Sequence, residues 1–421
     1  MKHLIIIADG AADVPMPQLG GQTAFEAART PNLDALAKRA RLGTAVTTPP
    51  GFNAGSDVCT MDLLGYDPRK YHTGRAPLEA AAIDVPMSDR DWVFRINLVT
   101  TGEEAGVDEG MMLDHSAGGI GDDEAKVLFT DLVKHWQNVM PAEARTIVLR
   151  HGVSYRASMV ESSGKVFGEV TTVPPHEIPR QSWRANMPAA RFSAASAPAS
   201  LLNRLMLASR DVLSTHSVNA ARRARDKRPG NMAWIWGQGT RPGMPSFESR
   251  FGLRGGMITA VDLLAGIAKL IGWERLDVPG VTSYHDTDYA AQGGEAIKAL
   301  SRFDIVCCHV ESPDEASHQA DHVTKVAAIE AIDTHVAGPA LAWLGDGVGK
   351  RVMVLPDHYT LVSTRKHDAT PVPFLMAGDF PPGSPGKPGA RFTEEQCKAS
   401  GWVVAEGHEL MDAFAARKSR T

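Results

Sequence analysis

Asp314 and His318 stand four residues apart in "ESPDEASH", directly after the apolar run Ile305 to Cys308. Residues at that spacing share one face of a helix. The stretch "RVMVLPDHYT" repeats the pattern, an apolar run that ends in adjacent Asp357 and His358. Asp9 follows the apolar "IIIA", and His367 in "RKHDATPVPF" precedes another such run. Carboxylate and neutral imidazole together suit Mn²⁺, Zn²⁺, Fe²⁺ or Co²⁺, whereas oxygen-only sets suit Mg²⁺ or Ca²⁺ better. Three carboxylates and three imidazoles exceed what one tetrahedral ion takes. They suit two ions that clamp a phosphoryl group or a hydroxide. Taken singly, a strand-end Asp is a turn former or cap and a lone His a surface or core residue. His309, His322 and His335 stay in that ordinary class; the combined spacing of the other six carries the reading.

A phosphoryl site of this kind needs a nucleophile, and "GFNAGSDVCTMDLLG" offers Ser56. The Gly-rich run reads as a turn and the segment after it as a helix opening at the serine. There the hydroxyl meets backbone N–H groups and the positive end of a helix, which favour a bound anion. A metal ion lowers the pKa of such a hydroxyl and makes it a nucleophile. The alternative is a plain N-cap serine. Two phosphate-loop lookalikes fail: "GDGVGKRV" precedes a strand and lacks Ser or Thr after the lysine, and "WGQGTRPG" does not fit GxGxxG.

Such a set has to be held by strand ends. Apolar runs without alternation predict strands buried on both faces, as in a parallel sheet. They are "HLIIIA", "RTIVLR", "MAWIWG", "DIVCCHV", "RVMVLP" and "VPFLMA". Helical patterns separate them, among them "TPNLDALA" with Thr30 as N-cap and Pro31 at the first helical position. This alternation predicts a three-layer α/β domain with a central, mostly parallel sheet, where ligands bind beyond the carboxyl ends of the strands. A length of 421 residues suggests about two domains. "SAASAPAS", Ser193 to Ser200, reads as a linker. The expected arrangement is a discontinuous core of 1–84 and 195–421, with a smaller α/β domain inserted over 85–194.

The formal net charge is −5, and no basic stripe with interleaved aromatics supports nucleic-acid binding. The basic run "ARRARDK" reads as a helix end or an anion-binding cluster. Four cysteines without CxxC spacing fit a reducing compartment, and no apolar run reaches membrane-spanning length. The expectation is a cytoplasmic protein acting on a small phosphorylated metabolite, with room for a homo-oligomer.

The chain also resembles a family, the cofactor-independent phosphoglycerate mutases of archaeal type, within the alkaline phosphatase superfamily. The segments that carry this include "ADGAAD", "GSDVCTMDLLGYDP", "YHTGRAPLEAAA", "DHSAGGI", "GVSYRASMV", "WIWGQG", "HVESPDEASH" and "LPDH", in the family's order. The resemblance implies an alkaline-phosphatase-like core and two divalent ions, Mn²⁺ first, with Zn²⁺, Co²⁺, Fe²⁺ or Mg²⁺ also compatible. Asp314, His318 and His367 would hold one ion; Asp9, Asp357, His358 and the Ser56 hydroxyl would hold the other. Ser56 would take the phosphoryl group from 3-phosphoglycerate and return it to the 2-hydroxyl. His115 and Arg156 in the inserted domain, with Arg75 and Arg222 in the core, would bind substrate. Three departures point to an altered substrate set. Gln292 stands where a lysine is expected, Gly119 where a basic residue is more usual, and the proline-rich turn after Asp357-His358 is missing. A paralogue with another substrate, such as a proposed homoserine kinase, and a phosphomonoesterase or phosphonate hydrolase are the alternatives. A metal-stabilised binding protein without turnover is disfavoured by Ser56.

Overall fold

The computed structural model describes residues 1–102 and 108–415. It divides into two compact units, 1–72 with 244–421, and 73–243. The boundaries therefore lie elsewhere than the composition suggested.

The first unit is built on an eight-stranded sheet. Its order is Glu274–Arg275, Gly255–Ile258, Ile305–Val310, Lys2–Ala8, Lys350–Leu355, Val372–Gly378, Ala40–Ala45, Val403–Val404. The first five strands run parallel. Val372–Gly378 is antiparallel to both its neighbours, and Val403–Val404 pairs parallel with Ala40–Ala45. The central strands are rich in Ile and Val and buried almost end to end. That is the pattern of strands covered on both faces, the middle layer of three. Helix Pro31–Ala37 forms as expected, although the Thr30 side chain makes no capping hydrogen bond.

The second unit has its own antiparallel sheet and its own core. Strand Trp92–Thr101 is its spine, pairing with Arg156–Glu161, Met232–Thr240 and Met112–Asp114. Ile147–His151 forms an edge beside Arg156–Glu161. Two of the expected parallel strands, "RTIVLR" and "MAWIWG", thus belong to an antiparallel sheet in the other unit. Because Met232–Thr240 completes that sheet, the unit must run to residue 243, not 194. The expected linker is also absent as such. Ser193–Ala195 is a 3-10 turn, and Ser196 opens an 18-residue helix, Ser196–Leu213. Its inner face, including Ala199 and Leu202, joins a core around Trp136, Trp183 and Trp234. Among the described residues no helix is long and apolar enough to cross a membrane.

Candidate active site

Register sets the site. Ala8 pairs with Val310 and Ile7 with Leu355, so three neighbouring parallel strands end together. Asp9, Glu311 and Asp357 follow within two residues of those ends. Helix Ser312–His318 begins beyond one of them, with Asp314 in its first turn and His318 in its last position. The short hairpin of Tyr359–Leu361 and Lys366–Asp368 sets His367 opposite Thr360. All six predicted carboxylates and imidazoles converge in this way, inside the first unit.

Each group has one side tied and one side turned inward. Asp357 Oδ1 accepts from the N–H groups of Gly10 and His358, while its buried Oδ2 has no hydrogen-bond partner. Asp9 Oδ2 lies 2.8 Å from His309 Nε2, while its buried Oδ1 has none. His318 Nδ1 lies 3.0 Å from the Arg365 carbonyl oxygen and His367 Nδ1 3.2 Å from that of Ala54. A carbonyl accepts, so both rings carry hydrogen at Nδ1 and turn Nε2 inward. These two Nε2 atoms approach to 2.9 Å, and they lie 3.1 and 3.4 Å from the Asp314 oxygens. At that distance the two nitrogens need a proton or a metal cation shared between them. Donors within ligating range form the groups Asp314, His358, His367 and Asp9, Asp357, His358. The orphaned carboxylate oxygens and convergent nitrogens fit divalent cations.

Without ions the charges strain against each other. Burial, with the charges of Asp357 and Asp314, pushes the Asp9 pKa well above the carboxylate range. Burial acts the same way on Asp314, but hydrogen bonds from His318 and His367 outweigh it and hold that carboxyl well below its ordinary value. The bond to Asp314 raises His318 to about 9, whereas burial lowers His358.

Ser56 is the first residue of helix Ser56–Leu63, and Gly55 is its N-cap. The serine side chain therefore does not cap the helix. Its Oγ lies 3.3 Å from His358 Nε2, and the residue is buried. Beside it, His72 Nε2 lies 2.9 Å from Asp57 Oδ2.

Several residues that pattern reading passed over belong here. His309 is fully buried, with Nε2 2.8 Å from Asp9 Oδ2 and Nδ1 3.1 Å from Thr259 Oγ1, so its ring is held between the two. Glu311 is near enough to group with Asp9 and His309, and burial, with the Asp9 charge, raises its pKa well above the ordinary value. The Asp9–His309 pairing is a long-range one that spacing cannot reveal, and His309 hid inside an apolar strand. Gln292 is buried, donating to the His309 carbonyl and facing Thr287 Oγ1. It serves as a clamp on that strand end.

The predicted substrate residues fall in the second unit. Arg156 stacks on Tyr155 at 4.8 Å, and the His115 ring lies 6.0 Å from both Tyr155 and His176. Arg95, unremarked in the sequence, stacks 4.1 Å over Trp236 and pairs with Glu79 at 2.8 Å. Burial lowers its pKa, with Arg75 and Arg156 adding repulsion, so the three guanidiniums share one neighbourhood. Arg75 belongs to this unit and not to the core. Arg222 is a correction. It is buried, its Nε donates to Arg228 O, its Nη1 pairs with Glu124, and its Nη2 donates to Ala117 O. Its nitrogens are engaged in holding the fold. Gly119 has φ +64, a left-handed backbone that disfavours the bulkier residue expected there.

Comparison with known proteins bears on the family and the fold. The family model for 2,3-bisphosphoglycerate-independent phosphoglycerate mutase matches residues 37–219. A protein of that name from Methanothermobacter thermautotrophicus is 42% identical over 98% of this chain and 96% of its own. A Geobacter sulfurreducens protein named as a probable member is 39% identical over 99% of this chain and 100% of its own. Among solved structures, a Pyrococcus horikoshii protein superposes with TM-score 0.79 at 25% identity, covering 100% of this chain and 99% of its own. The cofactor-independent phosphoglycerate mutase of Thermoplasma acidophilum shares the fold, with TM-score 0.67 at 24% identity over 98% of this chain and 99% of its own. Full-length identity near 40% to relatives of one name places the chain in the 2,3-bisphosphoglycerate-independent phosphoglycerate mutase family.

Proposed function

We propose that this protein interconverts 3-phosphoglycerate and 2-phosphoglycerate without 2,3-bisphosphoglycerate, by way of a phosphoseryl intermediate on Ser56. The observation that carries the reading is a buried serine hydroxyl, released from helix capping, 3.3 Å from His358 Nε2 within a convergent set of carboxylates and imidazoles. Asp314, His318 and His367 would hold one divalent ion, and Asp9, Asp357, His358 and Ser56 the other, Mn²⁺ being the first candidate. Bound there, such ions neutralise phosphoryl oxygens and favour the ionised serine.

The protein's own groups do the rest. Ser56 Oγ forms a bond to phosphorus as the substrate's 3-oxygen leaves. The 2-hydroxyl oxygen of the retained glycerate then takes phosphorus back as the bond to Ser56 breaks. Two transfers through one serine replace a direct 3-to-2 shift. Guanidiniums recognise carboxylates through paired hydrogen bonds, so Arg75, Arg95 and Arg156, with His115, are the groups that would hold the three-carbon acid. The experiment is acid quenching of the Mn²⁺-loaded protein during turnover, followed by peptide mass spectrometry. One added phosphoryl group on the peptide holding Ser56 is expected; an unmodified peptide throughout turnover contradicts the covalent path.

A further inference from the structure

We propose that Thr360 is a positioning residue that orients both halves of the centre through one hydroxyl. Thr360 is fully buried, on the hairpin strand Tyr359–Leu361. Its Oγ1 lies 2.5 Å from Asp314 Oδ1 and 3.1 Å from His358 Nδ1. An ionised carboxylate only accepts, so the single hydroxyl hydrogen goes to Asp314. The oxygen must then accept from His358, which places that ring's hydrogen on Nδ1. Nε2 of neutral His358 is left bare, facing Ser56 Oγ at 3.3 Å, Asp357 Oδ2 at 3.4 Å and Asp9 Oδ1 at 3.5 Å. One hydroxyl thus selects the tautomer in one donor group and fixes the carboxylate of the other.

Two further features are built around that hydroxyl. A Cβ on Gly10 would meet Thr360 Oγ1 at 2.5 Å and Asp314 Oδ1 at 2.6 Å, at a backbone φ of +59. Only glycine lets the loop after Asp9 pass so close. Lys325 is fully buried, and its ammonium donates to the Thr360 carbonyl at 2.7 Å and pairs with Asp13 Oδ2 at 2.9 Å. A buried ion pair costs desolvation and is weak evidence for stability. Here it ties the Thr360 peptide to the loop that carries Asp9, a registering role.

This inference rests on the reading of the centre as a metal site. Outer partners of metal ligands change metal affinity by about 10–100-fold when removed. The test is calorimetric titration of ion-stripped, full-length protein with Mn²⁺. Thr360→Val is expected to weaken both binding steps by about 10–100-fold, and Thr360→Ser to restore them. A Val variant with either step unchanged, or a Ser variant no better than Val, overturns the proposal. Should the Val variant fail to fold, ¹⁵N NMR of ion-free wild type decides: hydrogen on His358 Nδ1 supports the assignment and hydrogen on Nε2 overturns it. Wild type that takes up no Mn²⁺ overturns the metal reading itself, while the tautomer still tests the hydrogen-bond chain.

Discussion

A hydroxyl at the start of a helix ordinarily caps it, and at position 56 Gly55 holds the cap instead. Ser56→Ala therefore should not unravel the helix. It is expected to lower turnover by more than about 10³-fold, as loss of a nucleophile does, with an unchanged melting curve; retained activity in a steady-state assay contradicts the nucleophile assignment. His318 is the most exposed of the inward-facing imidazoles, its side chain 37% accessible. His318→Ala is thus expected to fold and to lose one of two Mn²⁺ equivalents by elemental analysis; unchanged stoichiometry refutes its role. The six acidic and imidazole positions were legible because such residues are costly at the ends of buried strands unless something binds them. His309 and Thr360 were not, because a His inside an apolar strand and a Thr after a turn look like ordinary core. Arg222 misled in the opposite sense: its match to a family position cannot show that its nitrogens are spent on Arg228, Glu124 and Ala117.

At the scale of elements, helix Ser56–Leu63 is buried along its whole length and carries Asp62 inward. Asp62 Oδ2 has no hydrogen-bond partner, and burial pushes the carboxyl up to about 8 from 3.8. A carboxyl whose folded pKa is raised contributes its stability below the unfolded value, and that contribution is lost as pH rises through the folded value. The loss therefore falls between about pH 4 and pH 8. Asp62→Asn is expected to flatten the fall of melting temperature over that window; an identical slope in the variant contradicts it. Strand positions were legible as apolar runs, but pairing direction was not. Ile147–His151 and Met232–Thr240 owe their antiparallel setting to partners far along the chain. "SAASAPAS" read as a linker because it is small and polar, yet alanine is the best helix former, and buried Ala195 and Ala199 join a helix to its core.

For the whole molecule, the two units have separate cores, and the second is continuous in sequence. A fragment of residues 73–243 is expected to melt cooperatively by circular dichroism. A fragment of 85–194 is not, because it lacks strand Met232–Thr240 and helix Ser196–Leu213. Equal cooperativity in the two fragments contradicts the structural boundary. The most direct measurement is a coupled assay of 3-phosphoglycerate conversion to 2-phosphoglycerate, with Mn²⁺, without bisphosphoglycerate, and with Ser56→Ala as control. Conversion that depends on both Mn²⁺ and Ser56 is the predicted result. No conversion by wild-type protein that has bound two ions would contradict the mutase assignment and leave the centre in need of another substrate.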